Sequence, residues 1–258
     1  MLERFRHRVE RAERWAQWRF RPAPKSNNSY TGVYSSFEQA RSAIDAGATG
    51  FDSQVGAGMY SERLDKVFAE DYPALFWLKD LAPKFSKVFD FGGHVGLHFY
   101  GLRQRLELPN SCEWVVSDVP QVMAEGERLA KTRGAKGLRF EGGFSAGDGA
   151  DLLLSSGALQ FLEHDSLERA LEGYQKRPKH IVLNKLPVTH LQGFVTVQDT
   201  WMIKAPYTVF NHERLVSGLK RLGYALTDEW ANPGHHCMVW REPERSITEF
   251  SGFYFQLT

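Results

Sequence analysis

The stretch Lys87-Val88-Phe89-Asp90-Phe91-Gly92-Gly93-His94-Val95-Gly96 decides the fold. A short apolar strand runs into an acid and then into a glycine-rich turn. An amphipathic run over 97–106 follows at once. Strand, glycine turn and helix, in that order, are how an α/β sheet holds a nucleotide-like ligand. Glycine lets the backbone approach the ligand, and a helix N-terminus offers unpaired N–H groups. Several nucleotide sites share this local physics, so the turn alone leaves the ligand open.

The totals set the frame. A chain of 258 residues, 42% hydrophobic and 24% charged, suits one large α/β domain with an extension. A formal net charge of +1 argues against bulk polyanion binding. No apolar run reaches the roughly 18 residues of a membrane span. The charged N-terminus lacks the apolar core of a signal peptide. Cys112 and Cys237 form neither a disulfide framework nor a metal-ligand spacing. The expectation is a soluble, cytoplasmic protein.

Upstream of the turn, residues 1–21 read as a helix, with Leu2, Phe5, Val9, Ala12 and Ala16 near helical spacing. Up to Lys25 there are eight Lys/Arg against three Glu, so this helix could meet an anionic surface. Trp15 and Trp18 favour a docking helix or the arm of a homodimer. Turn signals crowd 26–60, with Ser36 placed to cap a helix over 37–44 and Gln39 placed for a capping box. A helical stretch over 61–81 carries Pro73 and is expected in two pieces. Residues 1–80 thus read as a helical extension or cap, and 81–258 as the ligand-binding domain.

Downstream, strands are expected at 88–91, 113–117, 138–141, 151–155 and 180–184, with helices at 97–106, 122–132 and 166–175 between them. This is the rhythm of a doubly wound parallel sheet. Asn211 caps a helix to Leu222, stopped by Gly223. Two strands, 224–230 and 237–240, are joined by Ala231-Asn232-Pro233-Gly234, too short for a crossover, so the sheet ends in an antiparallel hairpin. Phe250, Phe253, Phe255 and Leu257 suggest one more extended piece.

A Rossmann-like sheet that ends this way resembles the class I S-adenosylmethionine-dependent methyltransferases, whose sheet has seven strands. In that family an acid closes the first strand before a G-x-G-x-G turn. Asp90 is that acid here, followed by Gly92, Gly93 and Gly96, with His94 where the middle glycine usually lies. Asp118 closes the second strand, where a carboxylate can accept from both ribose hydroxyls, and Asp118-Val119-Pro120-Gln121-Val122 looks like the D-x-P-x-V of small-molecule O-methyltransferases. Glu141-Gly142-Gly143-Phe144 resembles their G-D-x-F, with Phe144 matching and Gly143 in place of the acid. Adenine recognition is then expected from backbone groups, Ser145 or Asp148. Ser156 ends the fourth strand, which opens into the lip 157–161 that faces the methyl group in this fold.

The segments 29–40, 89–93 and 159–161 are further similar to a family of bacterial methyltransferases assigned mostly by sequence, a likeness covering about 29–198. The resemblance implies S-adenosylmethionine as cofactor and in-line transfer of its methyl group. It also implies Asp90, Gly92, Gly93, His94, Gly96, Asp118, Val119, Gly143, Phe144 and Ser156 as cofactor contacts.

A hydroxyl acceptor gains from a general base. In plant-type O-methyltransferases that base is a His near the position of Gln160, which cannot take a proton but can orient an acceptor. His164 lies one helical turn on. Among nine histidines, His190 after the fifth strand is the leading candidate base. Tyr34, Tyr60, His164 and Gln198 are the candidate acceptor contacts. The ends of the fourth and fifth strands lack the oxygen ligands that a metal would need, so no metal is expected. The expected activity is O-methylation of a small molecule or glycan. One alternative is a non-catalytic binding protein of methyltransferase fold. The other, a nucleic-acid methyltransferase using the basic helix, is disfavoured by the near-neutral charge.

Overall fold

The computed structural model describes residues 28–258. The expected helix over 1–21, and any dimer made through it, lie outside the described residues. The elements are β1 (Ser29–Tyr34), α1 (Phe37–Ser42), α2 (Gln54–Gly58), α3 (Tyr72–Lys79), β2 (Lys87–Phe91), α4 (Leu97–Leu102) and β3 (Glu113–Ser117). Then come α5 (Pro120–Arg133), β4 (Leu138–Phe140), β5 (Leu152–Ser156), α6 (Ser166–Gly173) and β6 (His180–Leu186). The chain closes with β7 (Val188–Thr189), β8 (Phe194–Asp199), β9 (Lys204–Asn211), α7 (His212–Arg221), β10 (Tyr224–Asn232), β11 (Val239–Trp240) and β12 (Phe250–Leu257).

The larger sheet has seven strands in the order β10-β12-β6-β5-β2-β3-β4. Strands β4, β3, β2, β5 and β6 are parallel, and β12 runs antiparallel to both β6 and β10. The pleat sends successive residues of β2 to opposite faces. Val88 joins a core with Leu78 of α3, Leu102 of α4 and Trp114, whereas Phe89 joins one with Leu171 of α6 and Leu215 of α7. Helices on both faces explain why β6 is buried along its whole length.

Three expectations are corrected. The closing hairpin is β10 with β12, from Tyr224 opposite Leu257 to Asn232 opposite Phe250. Residues 237–240 are not its second strand. The misreading has a physical source: β12 is a central strand with a register shift between Ser251 and Phe253, so its aromatics do not alternate simply. Second, 61–81 holds only one α-helix, α3, and Pro73 sits in its first turn rather than dividing it. Third, the described part of 1–80 is not purely helical, because β1 is a strand. The cap of α1 forms through Ser36, whose hydroxyl accepts from the Gln39 N–H; Gln39 Oε1 reaches back to Ser35 instead of Ser36.

Strand β1 belongs to a smaller sheet of five strands, β11-β1-β8-β9-β7, that the sequence reading did not anticipate. It pairs antiparallel with β8 (Tyr30 opposite Gln198) and parallel with β11 (Tyr30 opposite Val239). Tyr30, Phe194, Tyr207, Val239 and Phe250 form its own core.

Candidate functional site

A cavity of about 900 Å³ lies between the C-terminal ends of β2, β3, β5 and β6 and the smaller sheet. The ends of parallel strands are where open α/β sheets bind ligands.

Its floor is the glycine turn, which lines it through Gly92 and His94, while Gly93 and Gly96, expected as contacts, do not line it. Gly92 has φ +71°, and a Cβ there would lie 2.0 Å from the Ala158 Cβ, so only glycine lets the turn meet the β5 lip. His94 takes the usual glycine's place in left-handed backbone, φ +56°. Its N–H donates to Asp118 Oδ2 at 2.9 Å, and its Nε2–H donates to the Gly56 carbonyl at 2.9 Å. These two bonds hold a conformation that a side chain disfavours. The Tyr60 ring stands edge-on to His94 in the cavity wall.

Asp118 also accepts from the Val119 N–H at 2.8 Å. Burial pushes its carboxyl above the usual carboxylate range, while the Val119 N–H and His94 pull it back. Both Asp118 and Val119 line the cavity, as do Gly143 and Phe144. Gly143 has φ +86°, and the Phe144 ring stacks on Phe91 with centroids 4.3 Å apart and planes 6° from parallel. Asp90 does not line the cavity. Fully buried beneath the turn, it accepts from Trp114 Nε1 at 3.0 Å and from His98 Nδ1 at 2.9 Å. His98 itself faces the cavity. Ser145 and Asp148 are not in the cavity wall, and Asp148 instead accepts from the backbone of Gln175 and Lys176.

At the β5 lip, Ser156, Gly157 and Ala158 line the cavity, with Gln160 beside them. Gln160 is buried and its amide meets Tyr207, which in turn meets Tyr30. Gln198 donates to Tyr30 at 3.2 Å and to Asn28 at 2.9 Å. Burial pushes the Tyr30 phenol up to about 12, so this hydroxyl stays protonated.

The sequence reading missed the opposite end. Lys185, at the end of β6, is buried with φ +54°, an uncommon conformation costing on the order of 1–3 kcal/mol. Its Nζ donates to Asp71 Oδ1 at 3.2 Å, and both residues line the cavity. Asp71 Oδ2 accepts from the Phe68 N–H, and Arg63 pairs with Glu70 at 2.9 Å. Asn184 ties this end together. It donates to the Glu70 carbonyl and Ser156 and accepts from Trp230 and Asn232. The one visible signal was the polar pair Asn184-Lys185 closing the apolar run Ile181-Val182-Leu183. His235 and His236 also line the cavity. They do so because 233–249 crosses to the smaller sheet instead of turning back.

Tyr60, Gln160 and Gln198 are thus brought together around the cavity, whereas Tyr34, His164 and His190 are not. Tyr34 packs with Ala40, Val195 and Val197. His164 lies against Phe210, and burial together with Arg214 holds its imidazole below the usual histidine range. His190 is exposed with its ring 4.8 Å from that of His212. His190→Ala is therefore expected to change ligand affinity and turnover less than about twofold, the ordinary effect of a surface substitution. A larger loss in either measurement would return His190 to the site.

Among the described residues, no group of three or more His, Cys, Asp or Glu is placed to hold a metal, and no helix is long and apolar enough to cross a membrane. No family model matches the chain. No curated protein matches it either. Solved structures do. The 1,6-didemethyltoxoflavin-N1-methyltransferase of Burkholderia thailandensis aligns with TM-score 0.51 and 17% identity over 79% of this chain and 83% of that one. A S-adenosylmethionine-dependent methyltransferase from Mesorhizobium loti gives 0.51 and 15% over 73% and 98%. OxaC gives 0.50 and 14% over 75% of this chain, which spans about half (48%) of OxaC. At these identities the likeness speaks for the fold.

Proposed function

We propose that this chain, which has the fold of the class I S-adenosylmethionine-dependent methyltransferases, binds S-adenosylmethionine along the glycine turn and methylates an oxygen of a small molecule held under the smaller sheet. The observation that carries the reading is the juxtaposition of a glycine turn and Asp118 at the ends of adjacent parallel strands.

The donor set fits the cofactor. The raised Asp118 carboxyl is buried with only two backbone donors, and a ribose diol would supply the donors that favour its charged form. Val119 and Val122 with Phe144 give an apolar slot for a planar base. The cavity volume of about 900 Å³ falls near the top of the roughly 300–1,000 Å³ of small-molecule sites, which supports a small acceptor beside the cofactor.

S-adenosylmethionine supplies a methyl group on a positively charged sulfur. The protein's part is to orient and to exclude water. Gln160 and Lys185 both approach the lip: a Cβ built on Gly157 would lie 3.9 Å from Gln160 Nε2 and 4.0 Å from Lys185 Cε. Phe161, Tyr207 and Phe250 make the facing apolar wall. The similar Burkholderia thailandensis structure is an N-methyltransferase, so the fold alone leaves the acceptor atom open.

Titration calorimetry with S-adenosylhomocysteine tests the reading. Binding with Kd of about 1–100 µM is expected, near −8 to −5.5 kcal/mol. Absence of heat change would leave the cofactor reading without its basis. Binding with no methylated product from any small-molecule mixture would favour the non-catalytic alternative. With carbon-labelled methyl, NMR of the product separates an O-methyl from an N-methyl group.

A further inference from the structure

We propose that Lys185 forms, with Asp71 at its back, an oxyanion subsite, and that the methyl acceptor presents a carboxylate or an ionised phenol or enol to it. The inference rests on the methyltransferase reading and narrows its acceptor.

Lys185 is a buried cation on the cavity wall, and among the described residues its only hydrogen-bond partner is Asp71. An ammonium has three N–H donors, so two remain for a ligand. Asp71 is itself shared. Its second oxygen takes the Phe68 N–H, and the Arg63 guanidinium lies 3.8 Å from it. The groups facing Lys185 are therefore Asp71 and Glu70 against Arg63, with His235 nearby. Burial and Arg63 hold the ammonium below the ordinary lysine range although Asp71 and Glu70 oppose them. The charges of this cluster balance, but two of the Lys185 N–H donors stay free on the cavity wall, and an anionic oxygen is the partner that would satisfy them.

The cofactor sharpens the need. S-adenosylmethionine carries one net positive charge, while Lys185, Arg63, Asp71 and Glu70 sum to zero. With the cofactor bound, this end of the cavity is net positive. An anionic oxygen near the lip balances it, and an ammonium acceptor would be repelled. The anion also needs no base before transfer: its oxygen lone pair forms the bond to the methyl carbon as the carbon–sulfur pair returns to sulfur. Phe161, Tyr207 and Phe250 supply an apolar wall for the rest of the molecule.

The test uses three small aromatic probes on protein saturated with S-adenosylhomocysteine, whose net neutral charge isolates the contribution of Lys185: benzoate, its isostere benzamide, and benzylamine. Calorimetry is expected to show benzoate binding at least about tenfold tighter than benzamide, and benzylamine weakest. Lys185→Arg should keep the preference. The double variant Asp71→Asn/Lys185→Met, which leaves no lone buried charge, should lose it. Equal binding of the three probes, no benzoate binding, or an unchanged preference in the double variant would overturn the proposal. Failure of S-adenosylhomocysteine to bind at all would instead strike the cofactor reading.

Discussion

Asp118→Ala is expected to weaken S-adenosylhomocysteine binding by at least about 100-fold. The carboxylate stands at the end of β3 with one oxygen on the His94 N–H and the other on the Val119 N–H. If it receives two ribose hydroxyls, each charge-assisted bond contributes about 1.5–3 kcal/mol, and losing both exceeds the roughly 2.7 kcal/mol of a 100-fold change. The alanine also frees the His94 N–H and so loosens the left-handed turn. Asp118→Asn retains an acceptor oxygen and should lose less. Calorimetry on folded variants decides, and an Asp118→Ala loss under about fivefold would remove this residue from the site.

Asp90→Ala is expected to act on the fold. Asp90 is completely buried and accepts from the Trp114 indole, which is itself completely buried, and from His98. Removing it orphans the indole N–H, breaks a buried polar cluster and leaves a void under Gly93, whose built Cβ would lie 2.3 Å from Asp90 Oδ2. Losing two hydrogen bonds to a buried carboxylate, at about 1.5–3 kcal/mol each, costs about 3–6 kcal/mol. For a domain of this size that lowers Tm by roughly 10 °C, measurable by calorimetric scanning. Asp90→Asn keeps an oxygen for Trp114 and should cost less. A shift of Tm below about 3 °C would mean that the cluster is dispensable.

These two acids looked alike in the sequence, each closing a strand before a turn, and the structure separates them. Asp118 faces the cavity, while Asp90 faces the protein. Periodicity carried the parallel core because each central strand is a short apolar run bounded by a turn. It did not carry the smaller sheet. Strand β8 is buried on both faces over Phe194–Val197, so it shows no alternation, and β1 carries Gly32 and a register shift between Thr31 and Tyr34. The glycine turn, Asp118, Phe144 and the lip were legible because each lies at a strand end within a few residues of its signal. Lys185 and Asp71 were not, since they meet across 114 residues of sequence. Placing His190 at the site assumed that the chain after β6 stays near the cavity mouth. Instead it leaves through β7 and returns as the β8–β9 hairpin.

That hairpin has a consequence for how the molecule can change. The smaller sheet shares no strand with the larger one, and its strands come from 29–34, 188–189, 194–211 and 239–240. The floor and the roof of the cavity are therefore separately editable. Mutation in 194–211 can exchange the roof, Gln198 and Tyr207 included, while the glycine turn and its buried acid stay untouched. Relatives descended from this arrangement would diverge fastest in the roof, so that what the cavity admits beneath it would change before the glycine turn did.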